Sequence, residues 1–169
     1  LTTSDVTKTY SGTTTAAGAA TVSGGTLYTG DAISGGTFAF STPTAGIGNK
    51  TVTVSGVALN DSNNGSNYTI TYADNTTSTI NKKALNVVTK SDAKFVTQAD
   101  NSGYNGANYS GFANNDESVA DLGGTLTISR SNSGTNTAGT YSGVLVASGR
   151  TSDNYSFNYI AGDYTIVPA

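Results

Sequence analysis

Apolar and polar residues alternate with period two along much of this chain. Tyr68, Ile70 and Tyr72 fall on one face of an extended segment, and so do Tyr155, Phe157 and Tyr159. The same spacing links Val52 with Val54, Phe38 with Phe40, Leu126 with Ile128, and Tyr164 with Ile166. Side chains along a strand point alternately to its two faces, so each set predicts a strand with one face in a core. On this pattern Tyr68, Ile70, Tyr155 and Phe157 are expected to be largely buried. The parity changes between Val54 and Val57, and Gly56 between them predicts a bulge or a break. One stretch, Asn115 to Gly123, departs from the β pattern. Its polar start, early acids and terminal Gly predict a short helix. The corresponding Gly30-Asp31-Ala32-Ile33 predicts a turn.

The pattern also repeats over a longer distance. Asn67-Tyr68-Thr69-Ile70-Thr71-Tyr72 returns as Asn154-Tyr155-Ser156-Phe157-Asn158-Tyr159, 87 residues on. Ser55-Gly56-Val57 matches Ser142-Gly143-Val144 at the same offset, and Gly35-Gly36-Thr37-Phe38 matches Gly123-Gly124-Thr125-Leu126 at 88. Ser4-Asp5 near Lys8 resembles Ser91-Asp92 near Lys94, and the halves end in Thr79-Ile80 and Thr165-Ile166. Ordered matches at a nearly constant offset predict two modules, 1–82 and 83–169. Their junction, Asn81-Lys82-Lys83, holds no flexible linker, so the modules are expected to stack end to end and to support each other. The fold class is all-β, with at most one short helix per module, as two tandem sandwich-like or β-grasp-like units. A period near 87 argues against a β-helix, whose coils recur much sooner.

Composition narrows the function classes. Thr, Ser, Asn and Gly make up 87 of 169 residues, which suits strands joined by turns. Ten Tyr, five Phe and a net charge of only −3 argue against disorder. There is no basic face for nucleic acid, and no apolar run long enough for a membrane helix. The chain has no Cys and no His, so thiol chemistry and the commonest general base and metal ligand are missing. It lacks Met and starts at Leu1, as expected of a processed or excised piece.

The remaining chemistry is sparse. Asp61 to Asn67 is rich in oxygen ligands, but Tyr72 stands where an EF-hand needs its twelfth-position Glu, so a polar turn is expected. No metal and no cofactor is expected. Asp116, Glu117 and Asp121 form an acidic cluster within one segment, which suits solvated charge at a helix start. Tyr104, Tyr109 and Tyr28 lie outside the alternation and are the candidate ligand-binding residues, as exposed rings for a glycan. Seven Asn-X-Ser/Thr sequons occur, at Asn49, Asn60, Asn64, Asn67, Asn75, Asn108 and Asn154, close to chance for this composition. Lys50 and Lys94 are the candidates for an isopeptide crosslink.

The first module, through Val6-Thr7-Lys8-Thr9-Tyr10-Ser11-Gly12, Ala20-Thr21-Val22-Ser23-Gly24-Gly25, Lys50 to Val57 and Asn67 to Ile70, resembles the YDG repeat of filamentous-haemagglutinin-like exoproteins of Gram-negative bacteria. The second, through Tyr109 to Glu117, Leu122 to Leu126, Ala138 to Tyr141 and Asp153 to Phe157, resembles the related MBG repeat. Ser11 stands where the YDG motif has Asp, and Phe95-Val96-Thr97-Gln98 where the second family has Tyr-Gly-Asp. The resemblance implies secretion to the bacterial cell surface by two-partner secretion, within a long repetitive adhesin active in cell adhesion and biofilm. It implies no catalytic residues, so no enzyme is expected. The expected role is a stalk that presents a distal binding region. The alternative is direct, weak binding of host or biofilm glycan or matrix. The expected partners are neighbouring repeat modules and such a glycan, without nucleic acid or membrane insertion.

Overall fold

A computed structural model describes residues 1–169. The chain divides into two compact units, Leu1–Lys82 and Lys83–Ala169. Both are all-β.

The first unit contains β1 (Thr2–Thr3), β2 (Thr7–Thr9), β3 (Ala20–Thr21), β4 (Ala32–Phe40), β5 (Gly46–Asn60) and β6 (Asn75–Asn81). One sheet has the order β2-β6-β5-β4, and β1 pairs with β3 in a second. The second unit contains β7 (Lys83–Thr89), β8 (Asp92–Phe95), β9 (Ala107–Ser110), β10 (Gly123–Arg130), β11 (Gly139–Thr151), β12 (Tyr155–Ile160) and β13 (Gly162–Val167). Its sheets have the orders β10-β11-β13-β8 and β12-β7-β9. β11 also packs against β7 and β12, so the two sheets close on one core. Each four-stranded sheet is a long hairpin followed by a third strand, with a parallel strand at the far edge: β2 beside β6, and β8 beside β13.

The period-two positions supply the cores. Val52, Val54, Phe40 and Ile80 are buried in the first unit, and Leu145, Ala147, Tyr164 and Ile166 in the second. Leu85 and Val87 of β7 are fully buried as well. Of the four expected core residues only Tyr155 is buried, at 4 % exposure. Tyr68, Ile70 and Phe157 are half-buried. Residues 68–74 keep the alternation but belong to no sheet, whereas their repeat in the second unit is β12.

Three further expectations change. Residues 115–123 form no α-helix, only a single 3-10 turn over Val119–Asp121. Ser118 caps that turn, and the Asp121 side chain accepts from the Ser118 amide at 2.7 Å. Four polar residues precede the turn and Gly123 already opens β10, so too few apolar positions remain to hold a longer helix against a sheet. The β4–β5 ladder passes through Gly56 in unbroken register, with Gly35 opposite Val57 and Thr37 opposite Ser55. Gly56 takes φ +63° and the facing Gly36 takes φ +119°, so both strands twist together and the parity changes without a bulge.

The Ser-Gly equivalence also moves. Val52 in β5 and Leu145 in β11 each lie opposite the last residue of the preceding strand, Phe40 and Arg130. Counting from those pairs, Ser55-Gly56 corresponds to Ser148-Gly149, not to Ser142-Gly143. The second unit has a longer β10–β11 turn and lacks the Asp61 loop, and the two length changes nearly cancel. The sequence offset therefore looked constant across them.

Candidate functional site

The three candidate tyrosines do not form one site. Tyr104 adopts φ +49° in a tight turn. Its ring meets Tyr164 edge-on at 5.6 Å, and its hydroxyl donates to Asp100 Oδ2 at 2.9 Å. Tyr109 is half-buried on β9, and its hydroxyl accepts from Arg150 Nε at 3.0 Å. Both rings are committed inside the second unit. Tyr28 lies in the first unit and is 70 % exposed, with its ring 6.4 Å from that of Tyr68.

Tyr104 belongs to a charged cluster that sequence reading missed. Asp100 accepts from Arg130 Nε at 2.8 Å and Nη2 at 3.1 Å, and Lys94 Nζ lies 3.0 Å from its Oδ1. The Tyr164 hydroxyl adds a bond to Oδ1 at 3.2 Å. Arg130 also donates to the carbonyls of Asn132 and Thr135 and lies over the Tyr164 ring at 4.8 Å. The Arg130 hydrogen bonds hold the Asp100 carboxyl far below the ordinary carboxylate range, against the opposing effect of burial. Burial first, and the Asp100 charge next, push the Tyr164 hydroxyl up to about 12. All these groups are satisfied by one another, so the cluster is a structural clamp. Asp100 lies 30 residues from Arg130 and 64 from Tyr164, and neither separation follows a strand period.

The Asp61 loop is closed on itself. Asp61 Oδ1 accepts the amides of Asn63 and Gly65 at 2.8 Å, and Oδ2 accepts that of Asn67 at 3.0 Å. Burial opposes ionisation of Asp61, but these amides outweigh it and lower its pKa. Lys50 donates to Thr42 and Thr44. It and Lys94 therefore bond to hydroxyls and a carboxylate, not to an Asn.

The acidic segment has a different part from solvated helix charge. Glu117 accepts the Tyr155 hydroxyl, which itself accepts the Ala113 amide at 2.8 Å. The first unit repeats this arrangement, with the Tyr68 hydroxyl donating to Asp31 and accepting the Tyr28 amide at 3.0 Å. The spacing from Asp31 to Glu117 is close to the repeat length and was the available signal.

The surface of the first unit is open in several places. A cavity of about 120 Å³ in the first unit is lined by Val22, by Gly24 to Leu27 and by Tyr68 to Thr71. Ile33, Leu59 and Leu1 complete its lining. Val22, Tyr28 and Tyr72 are among the exposed large apolar residues of this unit. This groove is the candidate functional site. It contains no cluster of ionisable groups and its chemistry is that of apolar and backbone contact.

The unit that carries the groove matches a known family. Residues 1–79 match the YDG domain. No curated protein and no solved structure matches the chain. The YDG match spans β1 to β5 and most of β6, and so includes the groove, the Asp61 loop and the Tyr68–Asp31 pair. The second unit lies outside the YDG match, although it repeats the strand plan.

Proposed function

We propose that this chain is a pair of structural repeat modules from a large, secreted bacterial surface adhesin, serving as a spacer that presents a distal binding region. The YDG match over residues 1–79 and the recurrence of one strand plan in both units support a repetitive origin. The second module, residues 83–169, is read as the MBG-like member of the pair.

The observation that carries a mechanical role is the pairing near the ends of each unit. β2 lies parallel to β6, with Thr7 opposite Thr79 and Thr9 opposite Asn81. β8 lies parallel to β13, with Asp92 opposite Tyr164 and Phe95 opposite Val167. An early strand and the last strand of each unit are therefore neighbours running the same way. Tension drawn across such a parallel pair slides the strands past one another and loads several ladder bonds together, whereas an antiparallel pair pulled from one end opens one bond at a time. No catalytic step is part of this reading.

The competing reading is direct glycan or matrix binding, for which the exposed Tyr28 ring is the one supporting observation. A glycan and matrix-protein screen of the monomeric 169-residue chain separates the two. A spacer gives nothing tighter than roughly high-micromolar contacts, which matter only through avidity. A saturable submicromolar ligand that is lost in Tyr28→Ala overturns the spacer assignment.

A further inference from the structure

Tyr28 holds a place in the repeated frame that does not need its ring. The hydroxyls of Tyr68 and Tyr155 each donate to a carboxylate, Asp31 and Glu117, and each accepts one backbone amide. The residue giving that amide is Tyr28 in the first unit, at 3.0 Å, and Ala113 in the second, at 2.8 Å. A methyl side chain is therefore enough for the frame. The Tyr28 side chain instead carries a ring that is 70 % exposed.

The same frame keeps the Tyr28 and Tyr68 rings together. The Tyr28 carbonyl accepts the Asp31 amide at 3.1 Å, which closes a turn. The Tyr68 hydroxyl is bonded to both ends of that turn, to the Tyr28 amide and to the Asp31 carboxylate. The ring carbons next to that hydroxyl therefore lie close to the start of the Tyr28 side chain. The two ring centroids are 6.4 Å apart, with the planes tilted by 48°. Exposed side chains change rotamer within nanoseconds, so the Tyr28 ring can swing over the remaining distance.

We propose that Tyr28 and Tyr68 form an oxidative crosslinking site, at which a one-electron oxidant of the peroxidase type joins the two rings as dityrosine. Each tyrosine gives one electron to the oxidant and loses its phenol proton, Tyr68 to the Asp31 carboxylate and Tyr28 to water. Asp31 already accepts the Tyr68 hydroxyl, so it removes positive charge from that ring as the electron leaves. The two radicals couple by a carbon–carbon bond between ring carbons next to the hydroxyls. The hydrogen on each joined carbon then moves to the phenol oxygen. The product has lost two hydrogen atoms, as two protons and two electrons. In a chain without Cys the bond supplies a covalent closure across 40 residues.

A second tyrosine pair shows what such a site requires. Tyr104 and Tyr164 lie closer, at 5.6 Å, and share the Asp100 carboxylate. Their planes stand at 89°, and Tyr164 is fully buried. The packed core holds the edge of one ring against the face of the other, so neither can turn to couple. The Arg130 guanidinium, 4.8 Å over the Tyr164 ring, also opposes loss of an electron there. The crosslinking site stands apart from the spacer assignment, since neither needs the other.

The test treats the full 169-residue chain, in dilute solution, with photo-excited ruthenium tris-bipyridine and persulfate, a small one-electron oxidant. Dityrosine fluorescence follows the reaction, and mass spectrometry of tryptic peptides locates the bond. The expected product is a single chain short of two hydrogen atoms, with peptide 9–50 joined to peptide 51–82. Tyr28→Phe should abolish it, and so should Tyr68→Phe. Tyr10→Phe, Tyr72→Phe and Tyr104→Phe should leave it in place. Asp31→Asn should slow the coupling by about tenfold or more, as removal of a positioned base does. A crosslink found only between chains, one that survives Tyr28→Phe, or a Tyr104–Tyr164 bond in its place overturns the proposal. An unchanged rate in Asp31→Asn overturns the part given to Asp31.

Discussion

The hydroxyl of Tyr159 accepts the backbone amide of Arg150 at 3.0 Å, and the hydroxyl of Tyr72 accepts that of Val57 at the same distance. Val57 and Arg150 each follow a Ser-Gly pair in the long central strand, so one crosslink recurs in both units. With Tyr68 on Asp31 and Tyr155 on Glu117, every tyrosine of the repeated six-residue signature uses its hydroxyl as well as its ring. A small core gains from such links because they tie a segment with few ladder bonds to the rest of its unit.

Tyr155→Phe tests this directly. The substitution keeps the ring but leaves Glu117 and the Ala113 amide without their shared partner. Thermal unfolding should show a loss of about 1–2 kcal/mol, the cost of an unmade buried hydrogen bond. An unchanged melting temperature would show that the ring alone matters at this position.

The Asp100 clamp sets a pH window. Its folded pKa is depressed, so its contribution is complete above the unfolded value of about 4 and is lost as pH falls below it. The Tyr155 and Tyr164 hydroxyls are raised to about 12, so their contribution is complete below about pH 10 and is lost as pH rises toward 12. Melting of the second unit should therefore be flat between about pH 4 and 10 and fall on both sides. Asp100→Ala should cost about 3 kcal/mol or more, because Arg130 and Lys94 lose their anion, and should flatten the acid limb. An acid limb equally steep in the variant would place the effect elsewhere.

Thr89 gives a prediction of opposite sign. Its hydroxyl is buried and has no hydrogen-bond partner, whereas that of the corresponding Thr3 accepts the Ala19 amide at 3.0 Å. Thr89→Val should stabilise the second unit by about 1 kcal/mol, and Thr3→Val should destabilise the first by a similar amount. Equal effects of one sign in a melting experiment would contradict the assignment.

Calcium should not stabilise the Asp61 loop, since both carboxylate oxygens already accept loop amides. Melting in excess chelator and in millimolar calcium is expected to coincide, and a large calcium-dependent rise would show that the loop opens to bind the ion.

The alternation at Val52 and Val54 and at Tyr164 and Ile166 made the strands and much of the core legible, because period two leaves a direct trace in sequence. The alternation at Tyr68 to Tyr72 misled, because residues 68–74 belong to no sheet and leave Tyr68 and Ile70 only half-buried. Ser142-Gly143-Val144 misled because a longer turn and a missing loop cancelled in the residue count. The Asp100 clamp joins residues whose separation reflects the packing of the sheet edge, and no local pattern encodes that.

The mechanical reading is tested most directly by stretching single molecules of the chain held at its two ends. Two separate unfolding steps are predicted, each releasing on the order of 250 Å of chain at about 3.5 Å per residue. Each step should need a force well above that which unzips an antiparallel hairpin, because the parallel pairs β2–β6 and β8–β13 are loaded along their length. Smooth extension at low force, without discrete steps, would contradict the spacer account.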